Sequence, residues 1–241
     1  MRINRWFLTA LSLLLAAAFA LHAEPSLAAS KIGVASAVKN RVEGSVGGGT
    51  RQLSAGSEIF TSEVVRTGDA STAQLLFLDQ TSLSIGPKSE VTLDRFVFDP
   101  NRGAGSVAIN ASRGAFRFIS GSQKSSSYQI KTPVATVGVR GSIFQVYVTH
   151  AANGQPVVYL IWVEHSGTAS YHGQTFNLNA GQMLILTLNG IQGPFNSPWS
   201  GHLAELSVDF LGQIDIPDGK IDLLDQLNAR GGPPPPQSQN D

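Results

Sequence analysis

The 241-residue sequence contains no cysteine, so no disulfide can brace the fold. Its stability must come from the burial of apolar side chains, and a chain of this length is long enough to build a core. Charged residues are scarce, at 14%, and the 17 basic and 17 acidic ones balance. A chain without a basic excess offers no electrostatic footprint for nucleic acid or for an anionic membrane. Nucleic acid is therefore excluded as the expected partner.

Long apolar runs are absent after the first residues of the chain. Arg2 and Arg5 precede an apolar run over Phe7–Ala20, which is typical of an export signal and is shorter than the roughly 20 residues that span a bilayer. We predict a signal peptide over residues 1–23, cleaved somewhere between residues 20 and 29, with an uncleaved N-terminal anchor as the alternative. Cleavage would leave a net charge of −2 and a mature chain without a transmembrane span, placed in the periplasm or secreted.

Residues 32–190 carry short β-prone runs separated by glycine-containing turns, which predict a single all-β domain. We expect a β-solenoid or β-roll, with a β-sandwich as the alternative, because the spacing does not decide between them. Ala73–Leu78 is apolar on both faces apart from one glutamine, so we predict a buried central strand there. Gly190–Gly201 is rich in glycine and proline and predicts a connecting loop.

The last part of the chain has a different character. Residues 191–230 form a predicted C-terminal appendage, in which Ala204–Leu211 fits a short helix or a strand. Asp218 could cap a short helix over Lys220–Arg230, whose apolar residues fall on one face. Residues 231–241 contain four consecutive prolines and predict a disordered tail.

The stretch Lys131–Val148 organises the β domain. Two β-prone runs, Val134–Val139 and Ile143–Val148, flank a corner bounded by two glycines. We predict that this stretch holds a structural or recognition corner, formed by Thr132, Pro133, Gly138, Arg140, Gly141 and Phe144. Arg140 could bind a carboxylate or phosphate with two hydrogen bonds, although satisfying backbone carbonyls or an acid is the favoured interpretation. Its candidate acidic partners are Asp69, Asp79 and Asp94.

Catalytic and metal motifs are missing from the sequence. Glu164, His165 and His172 lack the spacing of a zinc site and predict surface histidines. The acidic run Asp215–Asp225 resembles a calcium loop, but isoleucines occupy its first and third ligand positions. Tyr159, Trp162 and Tyr171 could form an aromatic sugar platform, although core packing is the favoured interpretation. We therefore predict no catalytic residue, no cofactor and no metal.

A set of landmarks across residues 32–190 resembles the FecR domain, first known from regulators of ferric-citrate uptake. The landmarks arrive in the family's order: Gly56-x-x-Ile59, Val65-x-Thr67-Gly68, Ala73-x-Leu75-x-Phe77, Leu83-x-Ile85-Gly86-Pro87, Gly114, Thr132-Pro133, Gly138-Val139-Arg140-Gly141-Ser142-x-Phe144 and Ala180-Gly181-Gln182. The resemblance implies an all-β, solenoid-like module of the bacterial envelope without enzymatic activity. Ser142 stands where the family usually has threonine.

The resemblance leaves more than one function open. In the regulators, the module relays a signal from an outer-membrane receptor to a cytoplasmic sigma factor, but no cytoplasmic anti-sigma segment precedes the apolar run here. Our leading hypothesis is a non-catalytic exported module that binds an envelope protein or a surface polymer. The alternatives are a periplasmic component of a signal relay that regulates iron uptake, and a glycan hydrolase, which would need a close carboxylate pair.

Overall fold

The structure is a computed structural model that describes residues 29–99, 104–124, 128–151 and 153–196. The predicted signal peptide (1–23), the predicted helix over 220–230 and the predicted tail (231–241) lie outside the described residues. The described residues are all strand, turn and loop, so the all-β class is confirmed. The strands are β1 (Lys31–Lys39), β2 (Val42–Val46), β3 (Gly49–Gln52), β4 (Glu58–Phe60), β5 (Val64–Thr67), β6 (Thr72–Phe77), β7 (Ser82–Ile85), β8 (Glu90–Asp99), β9 (Ala104–Ile119), β10 (Tyr128–Lys131), β11 (Thr136–His150), β12 (Pro156–Tyr171), β13 (Gln174–Asn179), β14 (Gln182–Thr187) and β15 (Ile191–Asn196).

These strands form one branched sheet. Its main path runs β15-β14-β12-β11-β10-β9-β7-β6-β1-β4, and the remaining strands, β2, β3, β5, β8 and β13, branch from β9 and β12. Every pairing described is antiparallel except that of β9 with β10. Successive coils of a β-solenoid stack their strands in parallel. The topology therefore does not show the expected solenoid.

Three long strands replace the short runs that the sequence predicts. β9 and β12 have 16 residues each and β11 has 15. The two runs on either side of Gly141 belong to the single strand β11, because a bulge between Arg140 and Ile143 absorbs the glycine without breaking the pairing with β12. The predicted sharp corner is thus a bulge within a continuous strand.

One face of the sheet, here called the inner face, surrounds the hydrophobic core. Along β12 the inner residues are Val158, Leu160 and Trp162, which alternate with outer residues such as Tyr159. The Trp162 ring stacks on Phe144 with centroids 5.2 Å apart. Each large side chain buried in this way contributes about 1.5–3 kcal/mol. Burial of the core therefore stabilises this fold, which has no cysteine with which to form disulfides.

Strand β6 is buried on one face only, contrary to the prediction. Its inner residues Ala73, Leu75 and Phe77 are buried, whereas Leu76 is 42% exposed and the adjoining Leu78 is 54% exposed. On the outer face, Leu76 pairs with Val34 and Ser82, and these short side chains do not cover it.

The chain after residue 190 also differs from the prediction. Ile191–Asn196 forms strand β15 and pairs with β14, where the sequence predicts a connecting loop. The Gly193–Pro194 peptide bond is cis. Strand β15 is the last strand of the main path, and edge strands tolerate proline. In the part of the chain that the structure describes, no helix is long and apolar enough to cross a membrane.

Candidate functional site

The predicted corner begins with a tight turn at Thr132 and Pro133. The Thr132 backbone N–H donates to the Ala135 carbonyl over 2.8 Å, and the Thr132 hydroxyl oxygen accepts from the Ala135 N–H over 3.0 Å. Pro133 is exposed in this turn. The two residues therefore close the hairpin between β10 and β11 and leave only the proline ring open to contact.

The glycines of the corner serve close packing and the bulge. A β-carbon at Gly138 would lie 2.7 Å from the Thr168 Oγ1 atom, so a larger residue would force the Thr168 side chain to shift. Gly141 has φ +61° and is exposed, and His165, opposite it on β12, has φ +59°. Arg140 directly precedes Gly141 in β11 and is in register with Ser166 of β12. This half of the corner is shaped by backbone geometry.

Phe144 lies in the core and is fully buried. Its ring centroid is 5.2 Å from that of Trp162 and 5.4 Å from that of Phe118. Since Phe144 points to the inner face, it cannot share a contact surface with the exposed Pro133 and Gly141. Pro133 and Gly141 are exposed, and a recognition role for the corner stays a prediction.

The acids proposed as partners of Arg140 lie in three different places. Asp69 is exposed, and Asp94 lies 3.5 Å from the Lys131 ammonium group. Asp79 is buried and accepts four hydrogen bonds, from the Thr81 N–H and hydroxyl, the Gln123 amide and the Tyr128 hydroxyl, over 2.8–3.0 Å. This cluster ties the β6–β7 turn to the loop after β9, so Asp79 has a structural task.

A second buried carboxylate, Glu63, lies in the turn before β5. Its side chain is 0% exposed; one oxygen accepts from Arg51 over 2.7 Å and the other from the Phe60 N–H over 2.8 Å. Burial raises the pKa of Glu63, while the Phe60 N–H and the Arg51 charge oppose that rise. The Arg51 guanidinium also lies over the Phe60 ring, 5.4 Å from its centroid.

The histidines do not assemble into a metal site. His165 is an exposed residue within β12, and His172 is exposed in the turn after it, with its ring against Tyr171. Among the residues that the structure describes, no three His, Asp or Glu side chains are grouped so that they could hold a metal ion. Trp162 is fully buried and Tyr171 nearly so, so these aromatics do not form an exposed sugar platform.

A groove of about 820 Å³ runs beside the second half of β8 and is here called the β8 groove. Its lining combines apolar side chains with hydroxyl groups and one guanidinium. The lining residues are Ala29, Ser30, Val46, Gly47, Phe60, Thr61, Ser62, Arg95, Phe96 and Val97. Val97 is 55% exposed, which is unusual for a large apolar residue within a strand.

The β8 groove also borders an open strand edge. β5 pairs with β8 as far as Thr92, and the Ser62 and Leu93 backbone groups extend that contact by one residue. Beyond this point, residues 95–98 of β8 pair with β9 on one side, and no described strand pairs with their other side. An open edge beside an apolar groove is the arrangement by which proteins add an extended segment as an extra strand.

Sequence reasoning missed the β8 groove, although it had a signal. Phe96, Val97 and Phe98 are three consecutive apolar residues, and a strand directs neighbouring side chains to opposite faces. They could not all reach one core, so one face of β8 had to carry exposed apolar surface. Phe96 uses its ring to stack on Phe77, with centroids 5.7 Å apart, and this leaves Val97 facing outward.

Comparison with known proteins identifies the domain. Residues 63–160 match the family model described as FecR protein. Over these residues the chain is similar to the FecR family. Its matched region holds most of the landmarks noted in the sequence, from Val65 to Phe144, and the strands from β5 to the middle of β12. The β8 groove straddles the start of the match, since Arg95 lies within it and Phe60 before it.

Two solved structures have a loose likeness to this chain. Two crystal structures of a candidate anti-sigma factor from Parabacteroides distasonis ATCC 8503 each superpose with a TM-score of 0.43, at 14% and 12% identity. Each covers 56% of this chain, and this chain spans 59% and 63% of theirs, or about three-fifths of their length. Superposition at this level is too loose to assign a function. A search among curated proteins found no match.

Proposed function

We propose that this chain is a non-catalytic binding module of the bacterial cell envelope, which takes an extended protein segment into the β8 groove. The observation that carries the proposal is the open edge of residues 95–98 beside exposed Val97. The incoming segment would pair its backbone with β8, and an apolar side chain would enter the groove between Phe60 and Val97. Export rests on the N-terminal sequence, with the mature chain in the periplasm or secreted.

A signal relay that regulates iron uptake is the second candidate, and the FecR match favours it. The bound segment would then belong to an outer-membrane receptor, and the module would pass on the state of that receptor. A scaffold would hold an envelope protein or a surface polymer without passing on any signal. The two candidates share the groove and differ in what binding does.

The test places a photo-crosslinking amino acid at Val97 in the full chain, expressed in cells that export it. We expect a specific crosslinked protein, because the groove positions residue 97 against the incoming strand. Leu188, which directly follows β14, is 43% exposed and serves as the matched control position. The change Val97→Asp, which puts a charge at the apolar edge, should abolish binding of the captured protein by the purified chain.

The same experiment can refute the groove. Equal capture at positions 97 and 188, or no capture at position 97, would contradict binding at β8. If a partner is captured, deleting the gene for this chain separates the two candidates, since only a relay predicts altered expression of iron-uptake genes. A polysaccharide captured in place of a protein would overturn the strand-addition mechanism and favour a surface-polymer scaffold.

A further inference from the structure

The outer face of the sheet carries a second buried apolar surface, independent of the β8 groove. Six of its side chains are only 1–7% exposed, yet none belongs to the core cluster. They are here called the outer patch: Tyr147, Val157, Tyr159, Ile161, Met183 and Ile185. Since they alternate with inner residues on β11, β12 and β14, they point away from the core.

The strand register makes the outer patch continuous. Tyr147, Tyr159 and Ile185 face one another across three strands, and the two tyrosine rings stack with centroids 5.9 Å apart. The next row joins Ile161 to Met183. A sheet face of this kind stays exposed unless another layer packs on it. The substantial contacts between described strands are all between sheet neighbours or between β13 and β14, so none of these strands forms that layer.

We propose that residues 197–216 of this same chain dock on the outer patch. β15 ends at Asn196, which pairs with Gln182, so the chain leaves the sheet directly beside Met183. Another 45 residues follow. The patch from β14 to β11 spans two strand spacings, about 10 Å, which about three extended residues or about seven helical residues would cross. Strand β1 lies five strand positions from β12 by way of β11, β9, β7 and β6, so it is farther along the sheet from the patch than the end of β15 is.

The sequence of this segment suits the outer patch. Leu206 and Phe210 fall on one side of the segment if it is a helix and also if it is a strand. Acidic residues, Glu205 and Asp209, accompany them, and Arg117 of β9 lies on the outer face in register with Gln145. An apolar side flanked by acids is complementary to an apolar patch with an arginine beside it.

The buried part of the outer face is narrow enough to be covered by one short segment of chain. Arg117 is in register with Ser84 of β7, and Ser84 with Gln74 of β6. Along this row the outer side chains change from buried on β12 and β14 to exposed at Gln74, and Leu76 nearby is 42% exposed. The covering layer therefore ends near β7, as a segment that starts beside β14 and has a short span would do.

Cysteine labelling tests this docking, because the chain has no native cysteine. The probe is Ile185→Cys, in the full chain and in a chain ending at Asn196. Its thiol should react at least about tenfold more slowly in the full chain than in the shortened one. Two control positions lie on the same stretch. Leu186→Cys faces the core and should stay protected in both chains, and Leu188→Cys should react fast in both.

A second variant covers the case in which the shortened chain does not fold. The full chain with Leu206→Asp and Phe210→Asp keeps its length but loses the apolar side, so the Ile185→Cys thiol should become reactive while the Leu186→Cys thiol stays protected. Fast labelling of Ile185→Cys in the unaltered full chain would overturn the proposal. So would protection that persists in both altered chains, or protection that falls on dilution, which would assign the cover to a second copy.

Discussion

Two buried carboxylates show how single residues hold this fold together. Asp79 accepts four hydrogen bonds from neutral donors, whereas Glu63 is held by one N–H group and the partly exposed Arg51. A buried charge with few donors keeps much of its desolvation cost. This cost is the main reason that the pKa of Glu63 is raised from its usual value of 4.5.

We expect the raised pKa of Glu63 to make stability fall as the pH rises. Below its ordinary value of 4.5, Glu63 is protonated in both states. Above it, the unfolded chain releases the proton first, so the free energy of unfolding falls until the pH passes the pKa of the folded state, and then stays low. Relative to Glu63→Gln, the wild type should lose stability as the pH rises from about 4 towards neutral. Urea unfolding at each pH measures the difference.

Arg51 provides a second variant with a definite sign. Its charge lowers the pKa of Glu63, so Arg51→Met should raise that pKa further. The loss of stability with rising pH should then be larger than in the wild type. A wild type that gains stability relative to Glu63→Gln as the pH rises would contradict the assigned cause.

At the scale of single elements, β12 contains a glycine, Gly167, whose missing side chain leaves room for the indole ring of Trp162. A β-carbon at Gly167 would lie 2.5 Å from the Trp162 Cζ2 atom and 2.8 Å from Nε1. The indole cannot move away, because it is fully buried and stacked on Phe144. Gly167→Ala should therefore lower the free energy of unfolding by about 1–3 kcal/mol, as overpacking does.

Gly190, in the turn between β14 and β15, is the matched control for that substitution. No atom lies within 4 Å of a β-carbon built there. Gly190→Ala should leave stability unchanged or raise it by up to about 1 kcal/mol, because alanine restricts the unfolded chain. Chemical unfolding of both variants measures the difference. Equal effects at the two glycines would show that contact with Trp162 is not the cause.

The sequence predicts the chemistry of these elements better than their length. The glycine-separated β-prone runs of residues 32–190 mark the all-β class correctly, and His165 and His172 are exposed as expected. The sequence does not reveal that β11 continues through Gly141, because the bulge depends on pairing with β12, far along the chain. The exposure of Leu76 on β6 likewise depends on what packs over the outer face, and local sequence carries no information about that.

The same limit explains the outcome for the candidate site. The corner around Gly141 has the strongest local signal; in the structure it contains the β11 bulge and the buried Phe144, and its recognition role stays a prediction. The β8 groove brings together Ser30, Val46, Phe60 and Val97, which lie up to 67 positions apart in the sequence. Only the apolar run at Phe96–Phe98 indicates the groove in the sequence. That run predicts an exposed apolar face, but it does not identify the distant residues that line the rest of the groove.

At the scale of the whole molecule, the folding unit is larger than the family match. The match covers residues 63–160, but the core also contains residues from both sides of it. Ile32, Val42, Leu53 and Ile59 precede the match, and Trp162, Leu184 and Leu186 follow it. β6, inside the match, pairs with β1 outside it, and β12 runs eleven residues past its end.

A fragment of residues 63–160 should therefore be unfolded under conditions in which a chain of residues 24–241 is folded. The fragment exposes the inner face of β6 and β7 where β1 and β4 would close the core, and it removes the indole on which Phe144 stacks. Each buried side chain that is lost contributes about 1.5–3 kcal/mol. The summed loss for several such side chains exceeds the usual free energy of unfolding of a domain, about 5–15 kcal/mol. Near-UV circular dichroism and dispersion of amide proton resonances measure the outcome. A fragment with native-like tertiary signals and cooperative unfolding would show that the flanking strands are additions to an independent domain.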